Sequence, residues 1–113
     1  MADLPLETTP VELKTRLDRG EHIRMIDVRE PEEHAICQIA GAELIPMRTI
    51  PQHLQDLDGG GPADPVILVF CHHGVRSLNV VDWLRRQGVG NCQSLVGGID
   101  RWSLEIDAGV RRY

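Results

Sequence analysis

The sequence predicts an α/β fold, a mostly parallel β-sheet flanked by helices on both faces. Three observations point there. Short apolar segments alternate with helix signals along the whole chain, the pattern of βαβ units. The segment Val66-Ile67-Leu68-Val69-Phe70 is apolar at every position, which fits a strand covered on both sides. The helical segments between such strands carry recognisable starts and stops.

Thr9-Pro10-Val11-Glu12 opens the first helix, with an N-cap Thr, Pro at the first helical position and Glu three residues after the cap. Leu13 and Leu17 share one face, and Gly20 ends the helix. Arg24 to Val28 reads as a short strand, Pro31 to about Ile36 as a short helix or turn, and Ala42 to Ile45 as a strand stopped by Pro46. A modest helix is expected over Ile50 to Leu57. The stretch Gly59-Gly60-Gly61-Pro62-Ala63-Asp64-Pro65 reads as a surface loop, because neither half beside it is large enough to fold comfortably alone. After the buried strand, a helix is expected over Ser77 to Gln87. It ends on Arg85 and Arg86, read as a solvated end that suits the negative pole of the dipole, with Gly88 beyond. Cys92 to Val96 is a last short strand and Gly97-Gly98 a turn. Ile99, Trp102 and Ile106 then align on one helix face, with Trp102 assigned to the core.

A chain of 113 residues suffices for one core, so a single domain over residues 1–113 is expected. Aromatic residues make up only 4%, so aliphatic side chains must build that core. A net charge of −5 argues against binding a nucleic-acid backbone, which needs clustered Lys and Arg. It leaves room for a small anion, which responds to the local field. Met1 to Thr9 holds two acids and no basic residue, unlike a signal peptide. No apolar run approaches the roughly 20 residues that cross a bilayer. No membrane partner and a cytoplasmic location are therefore expected.

Three cysteines, Cys37, Cys71 and Cys92, are too few and too scattered for a disulfide framework. Cys37 and Cys92 read as packed core thiols. Cys71 differs, because it follows the most buried strand, where ligands bind in open α/β sheets. The segment Cys71-His72-His73-Gly74-Val75-Arg76-Ser77 joins that strand to the next helix. The positive pole of that helix favours a thiolate. Gly74 allows a turn whose N–H groups point at one anion, and Arg76 and Ser77 add a cation and a hydroxyl. His72 and His73 are read as lining the rim. Asp27 and Arg29 are read as a structural pair with Glu33. A metal is not expected. Adjacent Cys71, His72 and His73 do not converge on one ion, and His34 and Cys37 lack a matching pair of ligands.

With those residues in view, the chain resembles the rhodanese-like sulfurtransferases. The family's active-site loop has six residues, opens with Cys and commonly has Gly fourth. Here it is Cys71 to Arg76 with Gly74 fourth. Three further stretches match in order. They are Ile26 to His34 ("DVR…E"), Gly41-Ala42 leading to Ile45-Pro46, and Leu95-Val96-Gly97-Gly98-Ile99 with Trp102. The resemblance implies a parallel sheet with helices, the single-domain form and no cofactor. It implies a double displacement in which the Cys71 thiolate attacks the outer sulfur of a small anionic donor such as thiosulfate. Sulfite leaves, and a persulfide passes its sulfur to cyanide, a thiol or a protein. The N–H groups of His72 to Arg76 would stabilise the charged sulfur as an oxyanion hole does. Where the classical two-domain thiosulfate enzymes have strongly basic residues, this chain has His72 and His73.

Three alternatives differ in class. A persulfide carrier serving a protein donor or acceptor would use the same Cys71 chemistry. A phosphatase of this fold resembles a Cys-x5-Arg pattern, but here Ser77 stands at the Arg position. A non-catalytic docking module is the third, and resembles rhodanese-like domains that lack the cysteine.

Overall fold

The computed structural model describes residues 4–58 and 64–113. Its centre is a five-stranded parallel sheet in the order β1-β5-β4-β2-β3. The strands are β1 (Glu7–Thr8), β2 (Ile23–Asp27), β3 (Glu43–Leu44), β4 (Val66–Phe70) and β5 (Cys92–Leu95). The helices are α1 (Pro10–Asp18), α2 (Pro31–Ile36), α3 (Leu54–Leu57), α4 (Val75–Arg86) and α5 (Gly98–Glu105). The expected α/β class is what forms.

Side chains alternate across β4, and this alternation builds a core on each face. Ile67, Val69 and Cys71 point to one face, packed with Ile26, Val28, Val80, Val81 and Leu84. Leu68 and Phe70 point to the other, packed with Leu13, Leu95, Ile99 and Trp102. Cys71 therefore continues an inward row rather than turning out to solvent. Trp102 is core, as expected.

Local signals explain the helix starts. Thr9 Oγ1 accepts from the Glu12 N–H at 3.2 Å and Glu12 Oε1 accepts from the Thr9 N–H at 3.0 Å, the reciprocal capping box. Two expectations need correction, and one strand carries no signal in the sequence. β1 was not legible, because two residues carry no period; it exists by pairing with β5. The helix expected from Ile50 is a 3₁₀ segment over Met47–His53 followed by the single turn α3. Pro51 lies inside it and lacks the N–H that an α-helix would use. Arg85 is not a solvated end. Its guanidinium donates to the carbonyls of Cys92, Leu4 and Pro5 and ties the chain start to β5. In the expected loop, residues 59–63 lie outside the described residues. Among the described residues no helix is long and apolar enough to cross a membrane.

Candidate active site

The site forms where β4 hands over to α4. β2 and β4 run in register, Asp27 beside Phe70, so the segment after β2 lies against the segment after β4. Cys71 is 1% exposed. Its Sγ accepts the N–H of Gly74 at 3.1 Å and the N–H of Ser77 at 3.4 Å. The thiol donates toward Ser77 Oγ at 3.5 Å.

Backbone geometry aims those amides. Gly74 has φ +101°, and a β-carbon there would press on Gly97 N at 3.1 Å and Leu95 O at 3.2 Å. The loop's carbonyls are drawn the other way. Ile99 N–H donates to Cys71 O at 2.9 Å and Asp100 N–H to His72 O at 3.1 Å. These donors belong to the first turn of α5, whose N–H groups have no partner within the helix. With its carbonyls held by α5, the loop is left to point N–H groups at Sγ.

Each expected site residue has a definite place. Gly74 and Ser77 meet the sulfur. Ser77 Oγ also donates to Gly74 O at 3.2 Å and lies 2.7 Å from Ser94 Oγ, with both hydroxyls fully buried. His73 and Val75 are exposed, Val75 at 70%, and of the N–H groups expected from His72 to Arg76 only that of Gly74 bonds Sγ, the second coming from Ser77 beyond them. His72 is partly buried and stacks on Tyr113, with ring centroids 3.8 Å apart and planes 8° apart. Burial, with His73 adjacent, lowers the His72 pKa below its ordinary value. Arg76 is not an unpartnered cation. Its guanidinium is bidentate on Glu33, at 2.7 and 2.9 Å.

The Asp27–Arg29 pair is fully buried and structural, as read, but Glu33 joins it differently. Arg29 donates to Asp27 at 2.7 to 3.1 Å, to Cys37 O at 2.7 Å and to the Glu33 backbone carbonyl at 3.2 Å. Burial opposes the Arg29 charge, and the bonds to Asp27 and Tyr113 outweigh it, so its pKa lies above the ordinary value. The Glu33 side chain goes to Arg76 instead. Arg76, with help from Glu30 N–H and Tyr113, pulls the Glu33 carboxyl down to about 2. Tyr113 hydroxyl accepts from Arg29 at 3.0 Å and donates to Glu33 at 2.9 Å. Ser94 and Tyr113 carry no motif and escape sequence reasoning; only the fold sets them beside residues far away in the chain. Cys37 and Cys92 are buried, unpaired thiols.

A nucleophile-sized sulfur held by two inward amides and a hydroxyl can carry negative charge without a general base. Comparison with known proteins shows the family. The family described as the rhodanese-like domain matches residues 9–105. MoeZ of Mycobacterium tuberculosis, named as a probable adenylyltransferase/sulfurtransferase, is 35% identical over 107 residues, covering 93% of this chain and 26% of its own length. A protein of Allochromatium vinosum named as a sulfurtransferase is 33% identical over 91 residues, covering 80% of this chain and 81% of its own. The crystal structure of a rhodanese-like domain protein from Staphylococcus aureus is 31% identical, with a TM-score of 0.78 over 96% of this chain and 99% of that one. The chain spans less than a third of the length of MoeZ and of a similar chloroplastic relative from Arabidopsis thaliana.

Proposed function

The chain belongs to the rhodanese-like family, and from that premise we propose that it is a sulfurtransferase whose Cys71 carries a sulfane sulfur as a persulfide. The observation behind this is the pair of N–H groups, from Gly74 and Ser77, on a buried Cys71 Sγ. With Cys71 1% exposed, a donor meets it by its terminal sulfur alone.

The reaction runs in two displacements. The Cys71 thiolate attacks the donor's outer sulfur. The S–S bond forms as the donor's own bond to that sulfur breaks, and the leaving group takes the electron pair. An acceptor thiolate or cyanide then attacks the outer sulfur and returns Cys71 as a thiolate. The amides of Gly74 and Ser77 stabilise the charged sulfur at both stages. The Ser77 hydroxyl, which donates to Gly74 O at rest, turns its proton to the sulfur once the thiol is ionised, and Ser94 takes over as its donor. His72 shapes the loop from behind through its carbonyl on α5. Relatives that join adenylyltransferase and sulfurtransferase in one name support a protein among the donors or acceptors.

Intact-protein mass spectrometry after exposure to a sulfane-sulfur donor tests the reading, on the native chain and on Cys71→Ser. The expected result is a gain of about one sulfur atom, reversed by cyanide or a thiol and absent in the variant. No gain with any donor class, or an equal gain on Cys71→Ser, overturns it.

A further inference from the structure

Within residues 71–77 the one permanent cation is Arg76. It is engaged before any substrate arrives, because Glu33 takes both of its terminal nitrogens. Glu33 is in turn fixed, receiving the Glu30 N–H at 3.0 Å and the Tyr113 hydroxyl at 2.9 Å. Three other arginines of this end of the sheet are also spoken for, Arg29 by Asp27, Arg112 by Asp100 and Arg101 by Glu105. His72 is held toward its neutral form by burial. The arginines named here thus each have a carboxylate partner, on a chain of net charge −5.

That arrangement discriminates between donors by charge. Thiosulfate is a dianion, so its encounter with the Cys71 thiolate gathers three negative charges. An organic donor of the form R–SO2–S⁻ gathers two, and a protonated persulfide R–S–SH gathers one. We propose that Glu33 sets the donor class: by closing Arg76 into a bidentate ion pair, it fits the site to an organic sulfane-sulfur donor with at most one negative charge rather than to thiosulfate. This rests on the sulfurtransferase reading above. For a persulfide donor, the Cys71 sulfur bonds to the outer sulfur, the donor's S–S bond breaks, R–S⁻ leaves with the electron pair and the proton stays on the transferred sulfur. For a thiosulfonate, the same bond forms and a sulfinate leaves.

Thiosulfate and methanethiosulfonate make a matched pair, because a methyl group in one replaces a charged oxygen in the other. The rate of sulfur loading onto Cys71, as kcat/KM, is compared for both donors on the native chain and on Glu33→Gln, whose amide still accepts from Glu30 N–H. Taking the ratio between native and variant cancels the donors' intrinsic reactivities. Removing one negative charge beside the mouth raises thiosulfate loading about tenfold, and methanethiosulfonate loading only about threefold, because a dianion feels twice the potential. Glu33→Asp, which keeps the charge, keeps the native ratio of the two donors. If Glu33→Gln fails to fold, the native chain answers by itself: rising salt leaves thiosulfate loading level or raises it, whereas a dianion drawn in by an uncompensated Arg76 loads more slowly as salt rises. Equal gains for both donors in Glu33→Gln, or thiosulfate loading that falls steeply with salt, overturns the assignment of Glu33. Loading by methanethiosulfonate in that case leaves the sulfurtransferase reading standing, and no loading by these two donors or by an organic persulfide removes both.

Discussion

Gly98→Ala places a methyl group against the back of the active-site loop, and the structure gives the size of the collision. The new β-carbon would lie 2.4 Å from Cys71 O, 2.5 Å from His72 O and 2.6 Å from the His72 carbonyl carbon. All are backbone atoms, so no rotamer change relieves them. Reaching an ordinary separation needs a shift of about 1 Å between α5 and the loop. That shift breaks the bonds from Ile99 N–H to Cys71 O and from Asp100 N–H to His72 O, each about 1 kcal/mol. Gly98 also has φ +61°, where an alanine costs about 1–2 kcal/mol. The total is about 3–4 kcal/mol. Gly88→Ala is the control, since Gly88 has φ +97° with nothing within 4 Å of the added carbon, leaving the conformational cost alone. Urea unfolding gives the stabilities and sulfur loading of Cys71 gives the activity. Gly98→Ala should be less stable than Gly88→Ala by about 2 kcal/mol and load at least about tenfold more slowly, because carbonyls released from α5 no longer force the loop amides inward. Equal stability of the two variants with native loading in both would refute the role given to the α5 start.

Two further outcomes follow from the buried charges. Arg29→Met leaves the fully buried Asp27 without its main cation and costs about 3–5 kcal/mol by urea unfolding. Adding Asp27→Asn to it recovers part of that loss, and a double variant no more stable than the single one contradicts the reading of the pair. The Glu33 carboxyl titrates near 2 in the folded chain against an ordinary 4.5, so its contribution is present above pH 4.5 and is lost as pH falls from there through about 2. Stability of the native chain should fall more steeply over that window than stability of Glu33→Gln; identical slopes would remove the Arg76 ion pair as the cause.

Much of the fold was written locally. The Thr9 capping box, the all-apolar β4 and the Gly97-Gly98 turn each rest on residues within a few positions, so pattern and propensity identify them. β1 escaped because a two-residue strand has no periodicity, and the 3₁₀ segment because Pro51 acts through a missing donor that a hydrophobic pattern does not register. At the site, Cys71, Gly74 and Ser77 were legible because they share one loop and one anion-binding logic. Arg76 was legible as a residue but its ion pair was not, because its partner Glu33 lies 43 positions away in the chain.

By itself the sequence determined the class of fold, the loop that holds the thiol and which of three cysteines stands at the end of the most buried strand. Those are consequences of short-range chemistry: periodicity, caps and the residue types a tight anion-binding turn requires. Only the tertiary structure decided what surrounds the thiol. Parallel pairing of β2 with β4 carries Arg29 and Glu33 to the Cys71 loop, β5 brings Ser94 beneath Ser77, and α5 takes the loop's carbonyls. Hydrogen bonds and ion pairs act over about 3 Å regardless of separation along the chain. The charge at the mouth was therefore set by the packing of distant segments.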